Sequence, residues 1–412
     1  MIEEIQRHSE ALAPRFDGYR RRALAIGLIG IAATVFGYLT DHQQFFESYL
    51  LGFTYWVCMP VGCLGVLMIH HLGGGRWGFA IRRMLEAGAS TMPVMFILGL
   101  PILAGMHDLF PWTHTEAVAN DEVLTHKLPY LNSTFFIIRY VAYFAIWTAM
   151  AMLLTRWSVQ QDQTQETWPT RRMQILSGPG IVLLSLLGTF AGTDWLMSLE
   201  PHWFSTIFCA IYILGMALMT WAFMTLVGVP LSKHQPLDVL LTNERLRDLG
   251  TMMLGFVMLW AYTSFSQLLI IWSGNLPEEI TWYYTRLQGG WLYLGYALIG
   301  FHFAVPFLLL LSSRVKSHLR ILIVVASGLM FMRLVDLYWI TAPAFRDHDG
   351  GVLQSVALTP HWLDLAAPIG LGGIWVFFFF GQLKKRPLVP SNDPRFDYGA
   401  LAAEAQEHGH HG

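Results

Sequence analysis

Two aspartates lie in stretches that are otherwise apolar. Asp194 stands in GTDWLMSLEPHWFSTIF (192–208) and Asp336 in RLVDLYWITAP (333–343), and each is followed seven residues later by a proline, Pro201 and Pro343. A carboxylate within a lipid-crossing segment costs at least about 2.5 kcal/mol, so it needs a partner or a task. Desolvation raises its proton affinity and a nearby cation lowers it, which makes such a group adjustable for proton transfer. Arg333 precedes Asp336 by three residues, so the two share a helix face. A structural ion pair and a proton-handling site both fit that spacing. Glu200 is expected in a loop reached by water.

Other polar residues extend the list of proton-transfer candidates. His302 stands near the middle of an apolar run, with Tyr293 and Tyr296 toward one end. Another run carries Tyr262, Thr263, Ser264, Ser266 and Gln267, and Thr263, Ser266 and Gln267 fall on one helical face. Such groups usually bond neighbouring helices, and a proton wire is the alternative. Glu86 is expected at the start of a helix, as an entry group or as a first-turn acid favoured by the helix dipole.

The elements that position these residues follow from composition. The 412 residues are 54% hydrophobic and 13% charged, with 16 Trp and 27 Phe. That profile predicts an all-α polytopic membrane protein. Crossing a ~30 Å hydrocarbon core takes about 20 mostly apolar residues. Ten such spans are predicted, near 23–40, 49–71, 87–109, 134–156, 177–198, 203–229, 250–273, 289–312, 319–341 and 362–382. The net charge of −2 gives no argument for nucleic acid. The polar N-terminus shows no small-residue cleavage site after it, so an uncleaved anchor is expected, with the mature chain beginning near Met1.

Of the 26 Lys and Arg, 21 fall in the two tails and in the connections 76–83, 156–172, 233–247 and 314–320. The opposite connections hold Lys127, Arg286 and Arg346, and Arg139 and Arg333 lie within spans. The positive-inside rule then places both termini in the cytoplasm.

Spans 2–5 and 6–9 look like two parallel copies of a four-helix bundle, flanked by spans 1 and 10. Span 3 opens on Arg83-Met-Leu-Glu86-Ala-Gly88 and span 7 on Arg245-Leu-Arg-Asp248-Leu-Gly250, and the Asp-to-Pro spacing recurs in spans 5 and 9. The division is 1–48 for the N-tail and first helix, 49–202 and 203–345 for the bundles, and 346–412 for the last helix and C-tail. At 1.5 Å per residue from the cytoplasmic ends, Asp194 and Asp336 both lie roughly 24–26 Å across.

Cys58, Cys63 and Cys209 all sit in apolar runs, which suits neither a disulfide framework nor a Cys-ligated iron–sulfur cluster. Bis-His haem is not expected, because His302 lies mid-span while His70 and His71 are on the order of 10 Å away in depth. His107 lies near the opposite surface. No metal site is predicted in the spans. The tail EHGHHG is expected to be disordered, with weak metal binding as the alternative.

The runs GTDWLMSLEPHWFSTIF (192–208) and SFSQLLIIWSGNLPEEITWYY (264–284), with the ten-span pattern, resemble the NrfD/PsrC-like membrane subunits of bacterial alternative complex III. The likeness is closest to the second of its two large NrfD-like subunits and covers the spans from 23 to 382. It implies a non-redox subunit of the inner membrane, inactive alone, in a respiratory or photosynthetic complex that oxidises menaquinol or ubiquinol. The implied partners are a sister NrfD-like subunit, an iron–sulfur subunit, a multihaem c-type cytochrome and the lipid bilayer. Haem c and iron–sulfur clusters are expected in those partners and none in this chain. The resemblance also implies a quinol site near the outer surface, with a route for protons. The sister subunit is the better place for that site, and Asp194 with His202 are the candidates here. Under this reading, Asp194→Asn is expected to reduce proton coupling without unfolding the complex. A stand-alone secondary transporter and a purely structural scaffold are the other two readings.

Overall fold

The computed structural model describes residues 2–345, 358–390 and 392–396. Arg346 and the tail EHGHHG lie outside the described residues. Among those described there is no strand, and ten helices are long and apolar enough to cross a membrane. The protein is an all-α multi-pass membrane protein.

Span 1 is Ala13–Thr40, span 2 His42–Gly73, span 4 Ser133–Asp162, span 5 Trp168–Trp195 and span 6 Phe208–Leu231. Span 7 is Asn243–Gly274, span 9 Leu319–Thr341 and span 10 Leu363–Leu383. Spans 3 and 8 are interrupted, each at prolines. Span 3 runs Arg76–Ala89, Met92–Leu98 and Leu100–Ala104, with Pro93 and Pro101 opening the second and third pieces. The carbonyls of Phe96 and Leu98 beside the second interruption accept from Tyr140 Oη at 2.6 Å and Tyr49 Oη at 2.7 Å. Neighbouring spans thereby satisfy backbone groups that lipid cannot.

Span 8 runs Trp291–Ala297, then a π-helical turn Leu298–Ala304, then Val305–Leu311. Pro306 has no N–H for the carbonyl of His302, and its ring presses on that carbonyl, so the preceding turn widens.

Spans 2 and 6 form the centre of the molecule. Both are apolar on every side and buried over most of their length, as expected of helices enclosed by others. They approach closely at Gly62, where a Cβ would lie 2.6 Å from the carbonyl oxygen of Met216. Adjacency repeats between the halves: span 2 packs on spans 3 and 5, and span 6 on spans 7 and 9, while spans 4 and 8 pack on the last helix of their own half. Spans 1 and 10 lie along each other backbone to backbone. A Cβ on Gly30 would come within 2.5 Å of Gly370, and one on Gly373 within 2.4 Å of Gly27, the close approach that small residues permit in lipid.

The basic connections gather at one end of the bundle. There Asp17 accepts from Lys384 at 2.6 Å, Ser9 Oγ accepts from the backbone of Leu388, and Asn392 donates to the carbonyl of Asp162. The opposite end is closed by 110–132, 200–207 and 277–286. Lys127 donates to the carbonyl of Pro201, and Trp203 donates to that of Glu279 and stacks on Trp282 at 4.8 Å.

Candidate functional site

Asp194 is the next-to-last residue of span 5 and is 1% exposed. Arg139 of span 4 grips it through two parallel bonds, Nε to Oδ2 at 2.8 Å and Nη2 to Oδ1 at 2.9 Å, and Tyr143 donates to Oδ2 at 2.7 Å. The third arm of the guanidinium reaches the carbonyl of Tyr130, whose ring lies 3.9 Å from Cζ. Span 4 presents Arg139 and Tyr143 on one face because they are four residues apart. Such a bidentate pair, with the other oxygen contacts supplied by Tyr143, fixes the position of the carboxylate between spans 4 and 5.

Asp336 lies in the last third of span 9 and pairs with Arg333 of the same helix. Arg333 also donates to the carbonyl of Tyr212 at 3.2 Å, and Gly215 leaves the room it fills, since a Cβ there would lie 2.3 Å from Cζ. Tyr212 of span 6 is the junction. Its hydroxyl donates to the carbonyl of Thr54 at 2.9 Å, its ring lies 5.5 Å from the Arg333 guanidinium, and its other edge meets span 5 at Gly192. The two aspartates thus have separate cations, on spans 4 and 9, with Tyr212 of span 6 beside both span 5 and Arg333. Among the described residues no hydrogen bond or ion pair joins Asp194 to Arg333 or Asp336, although the sequence places the two aspartates at a similar depth.

His302 lies on the π-helical turn, fully buried, with its ring 4.2 Å from that of Trp260. Among the described residues neither ring nitrogen has a hydrogen-bond partner. The hydroxyls of span 7 do not line its surroundings as a set. Tyr262 is 68% exposed on the lipid-facing surface and Ser266 is half-buried. Thr263 bonds back to its own helix, and Gln267 joins Ser205 Oγ at 3.1 Å to Tyr283 Oη at 3.3 Å. Tyr293 and Tyr296 are also exposed.

His202 does not meet Asp194. Its Nε2 lies 2.6 Å from Asp121 Oδ2, tying 200–207 to the loop before span 4. Burial pushes the Asp121 carboxyl up, but the backbone N–H of Leu124 and the bond to His202 outweigh that and hold it below the usual carboxylate range. Glu200, expected in water, is partly covered and paired with the fully buried Arg286. That guanidinium also donates to the carbonyls of Trp339 and Ile340. One side chain thereby ties the end of span 5 to the end of span 9.

Glu86 is not in a first turn. Span 3 begins at Arg76 rather than near 87, which puts Glu86 beyond the tenth residue of its helix and completely buried. The helix continues through its charges because they neutralise one another. Arg82 Nε reaches Glu86 Oε1 at 3.0 Å, Arg83 Nη1 reaches Oε2 at 2.7 Å, and Ser158 also donates to the carboxylate. Arg82 continues to Asp393 at 2.6 Å and Arg83 to Asp162, so the C-terminal segment is clamped into the same network. Burial pushes the Asp393 carboxyl up, but the bond to Arg395 and the charges of Arg82 and Arg395 outweigh it and hold it well below the usual range.

Sequence reasoning missed Arg139 and Tyr143 as partners of Asp194, although Arg139 was visible as a lone cation in a span at matching depth. The Arg82, Arg83 and Glu86 spacing also carried the signal of a same-helix cluster. His70 and His71 are fully buried at the basic end, and their ring nitrogens have no hydrogen-bond partner among the described residues. Among the described residues no group of three His, Cys, Asp or Glu stands close enough to hold a metal ion.

No family model matches the chain, and no curated protein matches it.

Proposed function

We propose that this chain is an integral membrane subunit of a quinol-oxidising electron-transfer complex related to alternative complex III. Its redox centres, haem c and iron–sulfur clusters, belong to partners: a sister NrfD-like subunit, an iron–sulfur subunit and a multihaem c-type cytochrome. The setting is the bacterial cytoplasmic membrane, with both termini on the cytoplasmic side, and the quinol is menaquinol or ubiquinol.

The observation that best supports this reading is the pair of buried carboxylate–guanidinium couples, Arg139–Asp194 and Arg333–Asp336. The two aspartates lie on corresponding helices, spans 5 and 9, toward the end poor in Lys and Arg. Charge at that end supports the reading, because it would suit the handling of protons released at the outer surface. His302, buried and without a hydrogen-bond partner among the described residues, is a further ionisable group in the second half. With His202 turned to Asp121, Asp194 lacks a histidine for a quinol head group, so proton handling is preferred to a quinol site here.

The transporter reading asks for broken helices that expose backbone groups to a substrate near the midplane. The interruption at Gly99 has its carbonyls occupied by tyrosines, and spans 2 and 6 close the centre by direct packing. The scaffold reading shares every structural feature and differs only in chemistry.

Isolation of the full-length protein by affinity from native membranes in mild detergent tests the assignment. Stoichiometric c-type haem absorbance with a co-purifying iron–sulfur protein is the expected result. A colourless, solitary chain would overturn it.

A further inference from the structure

At the basic end, a groove of about 470 Å³ opens on the lipid-facing side of span 4, lined by Met152, Leu153, Thr155, Arg156, Val159 and Gln160 together with Arg386. The spacing 152, 156, 159 and 160 places one helical face along its floor. Met152 and Leu153 are 64% and 39% exposed, so the floor is apolar and continuous with the surface that meets lipid. The polar rim differs in character. Arg156 is exposed and makes no ion pair among the described residues. Arg386 Nη2 donates to Ser90 Oγ at 3.4 Å, and its Nη1 stands 3.9 Å from Glu86, too far for a hydrogen bond.

Three polar atoms around this groove are buried and without hydrogen-bond partners among the described residues: Thr155 Oγ1, Gln160 Oε1 and Arg386 Nη1. Thr155 as a residue is only 6% exposed. Buried polar groups left unsatisfied are costly, and two of these, Thr155 Oγ1 and Arg386 Nη1, are donors; they border a cavity that carries two guanidiniums, while the nearby carboxylates Glu86 and Asp162 are already held, Glu86 by Arg82, Arg83 and Ser158 and Asp162 by Arg83.

The geometry points to a selective site for an anionic phospholipid. Its phosphate meets Arg156, Arg386 and the Thr155 hydroxyl, and one acyl chain lies along Met152 and Leu153. Guanidinium matches phosphate as a planar fork of donors, and basic recesses between helices at the cytoplasmic side of membrane proteins suit such headgroups. A free phosphate shares the polar chemistry but leaves the apolar floor uncovered. The inference is independent of the proposed redox complex, because it uses only the groove and the bilayer.

The test uses the full-length protein, isolated with whatever partners it carries, stripped of lipid in detergent, and offered phosphatidylglycerol, phosphatidylcholine or inorganic phosphate. Lipid retained per chain is read by native mass spectrometry. Phosphatidylglycerol is expected to be retained in preference to phosphatidylcholine, with Arg156→Gln lowering its affinity about fivefold, the worth of one guanidinium near a charged headgroup. Thr155→Val, which keeps the shape and removes the hydroxyl, is expected to weaken retention less and carries the test if Arg156→Gln does not fold. Equal retention of the two lipids, or no loss in either variant, would overturn the site. Displacement of phosphatidylglycerol by inorganic phosphate at equal concentration would overturn the lipid assignment in favour of a soluble anion.

Discussion

Asp194 and Arg139 are coupled through a buried bidentate bond, and that changes what Asp194→Asn should do. Without the structure, the substitution reads as a probe of proton transfer. With it, the variant leaves a buried guanidinium short of its charge partner, and breaking such a pair costs about 3–5 kcal/mol. Asp194→Asn is therefore expected to melt well below the parent in detergent, and the double change Arg139→Met with Asp194→Leu to recover much of the loss. A single variant as stable as the parent would show that Arg139 finds another acceptor. Proton release per electron should then be compared in the double variant, where stability no longer confounds it. Asp121 acts differently, because it is both the N-cap of Glu122–Lys127, accepting from Val123 N at 2.9 Å and Leu124 N at 3.1 Å, and the partner of His202. Its carboxyl is held low in the fold, so it stabilises the loop above the pH at which an unfolded aspartate titrates, and that contribution disappears as pH falls through the folded value. Hydrogen-exchange protection across 118–128 is expected to be level from neutral pH to about pH 5 and to fall below roughly pH 4. Asp121→Ala should lower it at neutral pH by about 1 kcal/mol.

Among the elements, the interrupted spans show how composition yields to local chemistry. Pro60 lies within span 2 without ending it, whereas Pro93 and Pro101 coincide with breaks because small or hydroxylated neighbours let the chain turn. Thr91 Oγ1 donates to the carbonyl of Gly88 at 2.6 Å and accepts from Trp375 Nε1 at 2.8 Å, fixing the first break against span 10. Pro306 produces the wide turn that carries His302. The pairing of spans 1 and 10 makes a sharper prediction. A side chain at Gly370 would collide with the backbone of Gly30 and Ile31, which cannot withdraw as a flexible side chain can. Gly370→Leu is expected to cost more than the ~1–3 kcal/mol usual for overpacking and to expose span 1 to protease. Gly328→Leu, at a position with nothing within 4 Å of a built Cβ, should leave the melting temperature nearly unchanged. Equal melting of the two variants would contradict the backbone contact between spans 1 and 10.

At the scale of the molecule, the two ends have separate tasks. At the basic end, span 3, the end of span 4 and the C-terminal segment share a charged network that includes Glu86 and Asp393, and a separate ion pair, Asp17–Lys384, ties the start of span 1 to the end of span 10. The opposite end covers Arg139–Asp194 with the loop before span 4 and links the halves through Arg286. Tyr212 and Arg333 connect spans 6 and 9 between these layers, so a change at either aspartate acts on the packing of both halves. The doubled architecture also explains why the two aspartates differ in partner despite the shared spacing to proline. In the first half the cation comes from the third helix, and in the second half from the same helix as the acid.

The helices of spans 1 and 3 begin about ten residues earlier than their apolar runs, but the number of spans, the grouping of basic connections and the Arg333–Asp336 pair were legible in the sequence. Each rests on length, composition or spacing along one helix, quantities that neighbours in space alter little. The partner of Asp194, the turn of His202 toward Asp121, the burial of Glu86 beside Asp393 and the exposure of Tyr262 were not legible. They depend on which helix faces meet, and many spans are apolar enough all round that periodicity does not choose a face. Packing decides it, through the few positions where glycine admits a neighbour, as Gly215 admits Arg333 and Gly30 admits Gly370.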